Sequence, residues 1–140
     1  MTNLITYQGA VYPWHCDHMG HMNVMWYVGK FDEATWQLFA QLGLTPAYMR
    51  EHSRGVAAVE QHIEYKRELM AGDTVIVRSS VIEVRDKVLR FSHEMRHSIS
   101  GEIAAVTRLT AVHMDSVTRK AITIPPEIRA LATALIGEGG

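Results

Sequence analysis

The sequence predicts an α+β fold in which a long antiparallel β-sheet wraps around one hydrophobic α-helix. Three observations predict it. A first strand is followed by a long helical repeat and then by four β-rich runs. No helix separates those later runs, which argues against a doubly wound parallel sheet. The runs approach about ten residues or more and meet at turn signals, as strands joined by hairpins do. The length of 140 residues fits one domain, taken as 1–140, and leaves no room for two.

Residues Leu4 to Tyr12 read as a strand that ends near Pro13. A dense loop follows, Trp14-His15-Cys16-Asp17-His18-Met19-Gly20-His21-Met22. Asn23 is a helix cap, and the helical pattern runs from Val24 to about Leu42. Tyr27, Phe31, Ala34, Leu38 and Leu42 recur at spacings of three and four and make an apolar face. Trp26, Val28 and Trp36 fall partly off that face, so the helix reads as apolar nearly all round and therefore buried. Gly43 ends it.

Thr45 and Pro46 open a short helical turn through Arg50. After Gly55 the period changes to two, with Val59, Gln61, Ile63 and Tyr65 alternating with Glu60, His62, Glu64 and Lys66. Gly72-Asp73 marks a turn before a run from Thr74 to Val84. Further runs cover Val88 to Ile99 and Ile103 to Met114, with a turn at Ser100-Gly101. The segment from Pro125 to Ile136 reads as a short helical tail.

Composition excludes several classes. Apolar residues at 47% and charged residues at 21% make an ordinary globular balance, so disorder is not expected. Lys and Arg total 14 against 15 Asp and Glu, which leaves no basic surplus for nucleic acid. The one cysteine, Cys16, supplies neither an internal disulfide nor a Cys-rich zinc site. Residues Met1 to Tyr7 lack a basic start followed by an apolar run, and no stretch is long enough to span a bilayer. The expected setting is cytoplasmic and reducing, with no membrane partner. No G-x-S-x-G elbow, G-x-x-x-x-G-K-[ST] loop or G-x-G-x-x-G motif occurs, so nucleotide and dinucleotide chemistry has no support.

The segment His15 to Asn23 carries the chemistry. It sets an acid, three His and a Gly in a loop that ends at a helix N-terminus. The first amides of a helix have no internal acceptor and carry partial positive charge. They suit a carbonyl oxygen that gains negative charge, at about 3 kcal/mol per well-placed donor. Asp17 is a few residues away, within reach of the carbonyl carbon or of a water beside it. Gly20 is read as permitting close backbone approach.

Asp17-His18-Met19-Gly20-His21-Met22-Asn23, followed by Tyr27 and Phe31-Asp32-Glu33-Ala34, resembles the D-x-x-G-H-x-N…Y…F-x-E-A signature of the 4-hydroxybenzoyl-CoA thioesterase-like hotdog family. Tyr65-Lys66-Arg67-Glu68-Leu69 with Gly72-Asp73 resembles the family's second-strand ending and hairpin turn, so the likeness runs from about Val11 to Met114. The resemblance implies a hotdog fold, a homodimer or homotetramer with active sites at the dimer interface, and an acyl-CoA substrate with coenzyme A as leaving thiol. No metal or other cofactor is implied. Asp17 would act as nucleophile or general base. Asn23 and the amides around Met25, Trp26 and Tyr27 would orient and polarise the thioester, and His18 and His21 would shape the pocket. Val24 stands where many members carry a second Asn, which removes one polar anchor.

Other residues are candidates by position. Trp14 and Trp26 flank the loop and suit stacking on an aromatic or cationic acyl group. Lys66 and Arg67, with Arg85, Lys87 and Arg90, suit the coenzyme A phosphates. Glu33 lies on the helix whose carboxylate serves catalysis in other hotdog groups, and a hydrogen bond to a dimer partner is the favoured role for it here. Three rival readings stand beside these: a metal held by His15, Asp17, His18 and His21; a dehydratase or hydratase using His18 or His21; and a non-catalytic acyl-CoA-binding module.

Overall fold

Five antiparallel strands make one sheet in the order β1-β3-β4-β5-β2. They are β1 (Leu4–Ala10), β2 (Arg54–Tyr65), β3 (Thr74–Val84), β4 (Val88–His97) and β5 (Ile103–Asp115). The helices are α1 (Val24–Leu42), α2 (Pro46–His52) and α3 (Pro126–Ala134). The structure, a computed structural model, describes residues 4–137. Residues 1–3 and 138–140, which the expected domain includes, lie outside the described residues.

The strands β3, β4 and β5 follow one another as hairpins, while β1 and β2 close the two edges. Each of the four strand pairs carries one register shift, such as the one between Ala58 and Glu60 that leaves Val59 outside the ladder. Shifts of this kind bend a strand and increase its twist, which lets the sheet curve around α1.

Both ends of α1 follow from local chemistry. Asn23 is extended, and its side-chain oxygen accepts the Met25 N–H at 2.9 Å, satisfying one orphan donor. Gly43 takes the left-handed conformation, φ 84°, that stops the helix. Between them Tyr27, Phe31, Ala34, Leu38 and Leu42 are buried, as their spacing predicts.

That buried face divides into two clusters. Tyr27, Phe31 and Ala34 pack on Val75, Val77 and Met95. Leu38, Phe39 and Leu42 pack on Val81, Leu89, Phe91 and, from α3, Ile128. A polar chain lies between the clusters. Thr35 Oγ1 and His93 Nε2 are 2.8 Å apart, His93 Nδ1 and Ser79 Oγ 2.5 Å, and Ser79 Oγ and Thr6 Oγ1 2.7 Å. Thr35 donates to the Phe31 carbonyl at 3.0 Å, so it accepts from His93 Nε2–H, and His93 Nδ1 accepts from Ser79. Neutral imidazole satisfies every group. Burial pushes the His93 pKa down to about 3.

The structure corrects several boundaries. The first strand stops at Ala10 instead of Tyr12, because Pro13 opens a 3-10 turn over Pro13–His15. The third β-rich run ends at His97, and the helical tail is Pro126–Ala134. The helix α1 is not buried all round: Val28 and Trp36 sit on its outer side, 39% and 48% exposed. The expected basic cluster splits into two groups. Lys66 and Arg67 follow β2, near the Thr74 end of β3, whereas Arg85, Lys87 and Arg90 belong to the hairpin at its Val84 end. A strand of 11 residues puts those ends roughly 35 Å apart.

Candidate active site

The loop before α1 is folded on itself. Asp17 N–H donates to the His21 carbonyl at 3.1 Å, and Gly20 N–H to the Asp17 carbonyl at 3.0 Å. Gly20 has φ 88°, and a Cβ there would meet nothing within 4 Å. The glycine is therefore needed for its left-handed conformation. At the base of the loop Cys16 and Met22 form a β-bridge, and Asn23 N–H donates to the His15 carbonyl at 2.9 Å.

Both oxygens of Asp17 are held. Oδ1 accepts the Met19 N–H at 2.8 Å, and Oδ2 accepts the Asn23 side-chain amide at 2.9 Å. The Asn23 bond, then the Met19 amide, holds this carboxyl below the usual carboxylate range. Asn23 thus performs two tasks, donating to Asp17 and accepting from Met25. The Met25 amide, expected to face a substrate, is taken up by that cap, and the Trp26 N–H donates to the Asn23 carbonyl at 2.9 Å. Val24 opens the helix, so its amide has no intrahelical acceptor.

The three loop His residues diverge. His15 is buried, its Nδ1 accepts the Tyr12 N–H at 3.0 Å, and its ring lies 4.4 Å from that of Trp26. Burial, and then the Lys30 charge, lowers its pKa. His18 is exposed. His21 is half-buried, with Nε2 3.6 Å from Glu68 Oε1. Among the described residues no group of three or more His, Cys, Asp or Glu side chains is arranged to hold a metal ion.

Two clefts border this segment. One, of about 240 Å³, is lined by His21, Val24, Tyr27, Lys66, Arg67 and Glu68. The Tyr27 hydroxyl donates to the Arg67 carbonyl at 2.9 Å, and burial pushes its pKa up to about 12, so it stays a neutral donor. Arg67 pairs with Glu102, and Lys66 lies 3.9 Å from Glu64. The other cleft, of about 400 Å³, brings together Tyr12, Trp14, His15, Trp26, Lys30 and Glu33. Trp14 and Trp26 share it, and the His15 ring neighbours both.

Sequence reasoning missed the buried side of this second cleft. Lys30 is 3% exposed, with Nζ 3.0 Å from the Tyr7 hydroxyl and 3.3 Å from the Ala10 carbonyl. A lysine at i+3 and i−4 from buried Tyr27 and Ala34 sits on the apolar side of the helix, and that position was the available signal.

Comparison with known proteins identifies the family. Residues 11–131 match the model of the thioesterase-like superfamily. A betainyl-CoA thioesterase from Pseudomonas aeruginosa is 26% identical over 94% of this chain and 83% of its own length. A second relative, the L-carnitine dehydrogenase/betainyl-CoA thioesterase of Rhizobium meliloti, is 25% identical over 81% of this chain, which matches only 23% of that longer protein. Among solved structures, a protein from Staphylococcus aureus in complex with CoA superposes with a TM-score of 0.89 at 18% identity, over 96% of this chain and 85% of that one. No helix among the described residues is long and apolar enough to cross a membrane. The match over most of the chain and the sheet-and-helix architecture together establish that the protein belongs to the thioesterase-like superfamily, as a hotdog-fold thioester hydrolase.

Proposed function

We propose that the protein hydrolyses an acyl-CoA to a carboxylic acid and free coenzyme A, with the Asp17 carboxylate as the reacting group. One observation carries this reading. Asp17 is an ionised, accessible carboxylate fixed by Asn23 and Met19 directly before the N-terminus of α1. The thioester carbonyl would lie against that terminus, where the free first-turn amide and the helix dipole favour the oxyanion. Asp17 then either attacks the carbonyl carbon, giving a mixed anhydride and releasing the thiolate, or takes a proton from a water that attacks. Both routes need the ionised form. The held orientation of Asp17 supports either, and Asn23 is a positioning residue in both.

The cleft beside His21 is the natural path for the pantetheine arm, with Lys66 and Arg67 at its rim for phosphate. His18 and His21 shape the approach to Asp17. The protein would work as a single hotdog domain in a homodimer or homotetramer, in the cytoplasm, without a cofactor beyond the coenzyme A of its substrate. The names of the two curated relatives make betainyl-CoA the first acyl group to try.

The test is thiol release from a panel of short-chain, long-chain, aromatic and quaternary-ammonium acyl-CoA esters, with Asp17→Asn in parallel. Release that the variant abolishes while remaining folded supports the reading; release unaffected by Asp17→Asn removes it. Single turnover in heavy-oxygen water then separates the routes. Label in Asp17 marks the nucleophile, with water attacking the aspartyl carbonyl of the anhydride; label in the acid arises from the base route or from water attacking the acyl carbonyl of the anhydride, and trapping of the anhydride by hydroxylamine separates those two.

A further inference from the structure

We infer that the cleft lined by Tyr12, Trp14, His15 and Trp26 is an acyl-group subsite for a quaternary ammonium. The inference rests on the hydrolase reading and names the substrate class of that same site. The four rings form a corner. Tyr12 and Trp14 stack face to face, 4.6 Å between centroids and 3° between planes, and make one wall. His15 and Trp26, 4.4 Å apart, make the other. His15 lies 5.7 Å from Tyr12 at 76° and 5.9 Å from Trp14 at 73°, so it meets the edges of both stacked rings. The stacked pair keeps its outer faces and lines one cleft with Trp26, and aromatic faces carry the negative quadrupole that attracts an organic cation.

Exposure supports a ligand role. Trp14 is 67% exposed and Tyr12 49%. Neither large ring is a core side chain, yet the two are ordered against each other. Lys30 and Glu33 bring one charge of each sign to the cleft. Buried His15 is held neutral, as its acceptor Nδ1 requires. Lys30 is committed to Tyr7, whose ring centre lies 5.2 Å from its Nζ, and to the Ala10 carbonyl. Glu33 is on the same helix, three residues after Lys30, and brings a carboxylate to the cleft that offsets the lysine. A trimethylammonium group has no N–H to satisfy, so it asks for what this corner offers: aromatic faces and one acidic group at the rim.

The position relative to Asp17 sets the size of the acyl group. His15 and Trp26 are the two ends of the segment that carries Asp17 and Asn23, and they touch. The corner therefore begins at the base of the reacting loop, and a short acyl group suffices to join carbonyl and cation.

The experiment compares trimethylammonioacetyl-CoA with tert-butylacetyl-CoA, its uncharged isostere, in wild-type protein, Trp14→Leu, Trp14→Phe and Glu33→Gln. The ammonium also activates its neighbouring carbonyl, so the diagnostic is the change in the ratio of the two kcat/KM values on substitution. Trp14→Leu should lower the ratio by roughly three- to thirty-fold, mainly through KM of the cationic ester. Glu33→Gln should lower it less, and Trp14→Phe should keep most of it. A Trp14→Leu protein in which both esters slow equally, or neither does, overturns the subsite. If no acyl-CoA of any class releases thiol, the hydrolase reading fails separately. Calorimetric titration of the two esters into wild-type protein then decides: tighter binding of the cation upholds the subsite, and equal binding overturns it.

Discussion

Two polar chains hang on α1, one at its start and one at its middle. At the start Asp17, Asn23 and the Met25 amide form a short relay open to solvent. At the middle Thr35, His93, Ser79 and Thr6 form a longer one between the two apolar clusters. By perturbation alone the middle chain is the stronger candidate. It holds a serine 2.5 Å from an imidazole whose pKa is pushed down to about 3, features that mark active sites elsewhere. Yet Ser79 and His93 are each 1% exposed, and no substrate reaches them. Asp17 has only a lowered carboxyl, but a thioester can reach it. Access separates a reacting group from a buried strut.

Exchanging one residue in each chain is the sharpest way to break this contrast. Asp17→Asn should lower kcat for thiol release by about 10²–10⁴-fold and leave the unfolding midpoint near wild type. His93→Leu should do the reverse. It removes the imidazole that bonds both the Ser79 and Thr35 hydroxyls, so urea unfolding should show a loss of about 2–4 kcal/mol, with the rate per folded molecule retained. Stability-neutral loss of turnover in His93→Leu would invert the contrast.

Titration sharpens it further. Folded His93 stays neutral down to about pH 3, while the unfolded imidazole binds a proton below its ordinary value of 6.5. Between those values the unfolded state binds more protons, so stability rises with pH. The contribution is complete above 6.5 and is lost as pH falls toward 3. Urea midpoints at neutral and mildly acidic pH should therefore fall more in wild type than in His93→Leu, by up to about 1.4 kcal/mol per pH unit.

Smaller effects probe the opening relay. Asn23→Asp keeps the acceptor for the Met25 N–H, and with it most of a cap worth about 1 kcal/mol. It replaces the amide that donates to Asp17 with a like charge, which raises the Asp17 pKa. Turnover should fall about tenfold and the acid limb of the pH–rate profile should move upward, a shift that a merely structural role would not produce. His21→Ala should have the smallest effect. Its contact with Glu68 is partly exposed, so it should cost under about 1 kcal/mol by thermal melting. A large fall in its kcat would instead assign His21 to the chemistry.

Much of the fold was legible because its signals are local. The limits of α1 follow from Asn23 and Gly43, and β3 runs from Thr74 to Val84 as its apolar pattern predicts. Asp17, Asn23 and Gly20 were legible because one short loop contains them all. What was hidden depends on tertiary contact. Periodicity puts Trp36 off the main apolar face but cannot say that nothing covers that side, because a tryptophan contributes the same hydrophobicity covered or open. Tyr7, Tyr12 and Lys30 enter the aromatic cleft only when β1 packs beside α1, and His93 meets Ser79 and Thr35 only through pairing of β3 with β4 beneath the helix. The split of the basic residues also needed strand direction, which a run of residues does not carry.

The reacting loop is tied to a stretch of chain that follows it by some 40 residues. Met22 N–H donates to the Leu69 carbonyl at 2.7 Å, Tyr27 to the Arg67 carbonyl, and His21 faces Glu68. Residues 67–69 thus act as the socket for residues 21–27. A chimera that transplants only the conspicuous loop into a relative would leave a buried amide and a buried phenol facing foreign carbonyls. The transplantable part is discontinuous, and recombination between those stretches would separate two halves of one component.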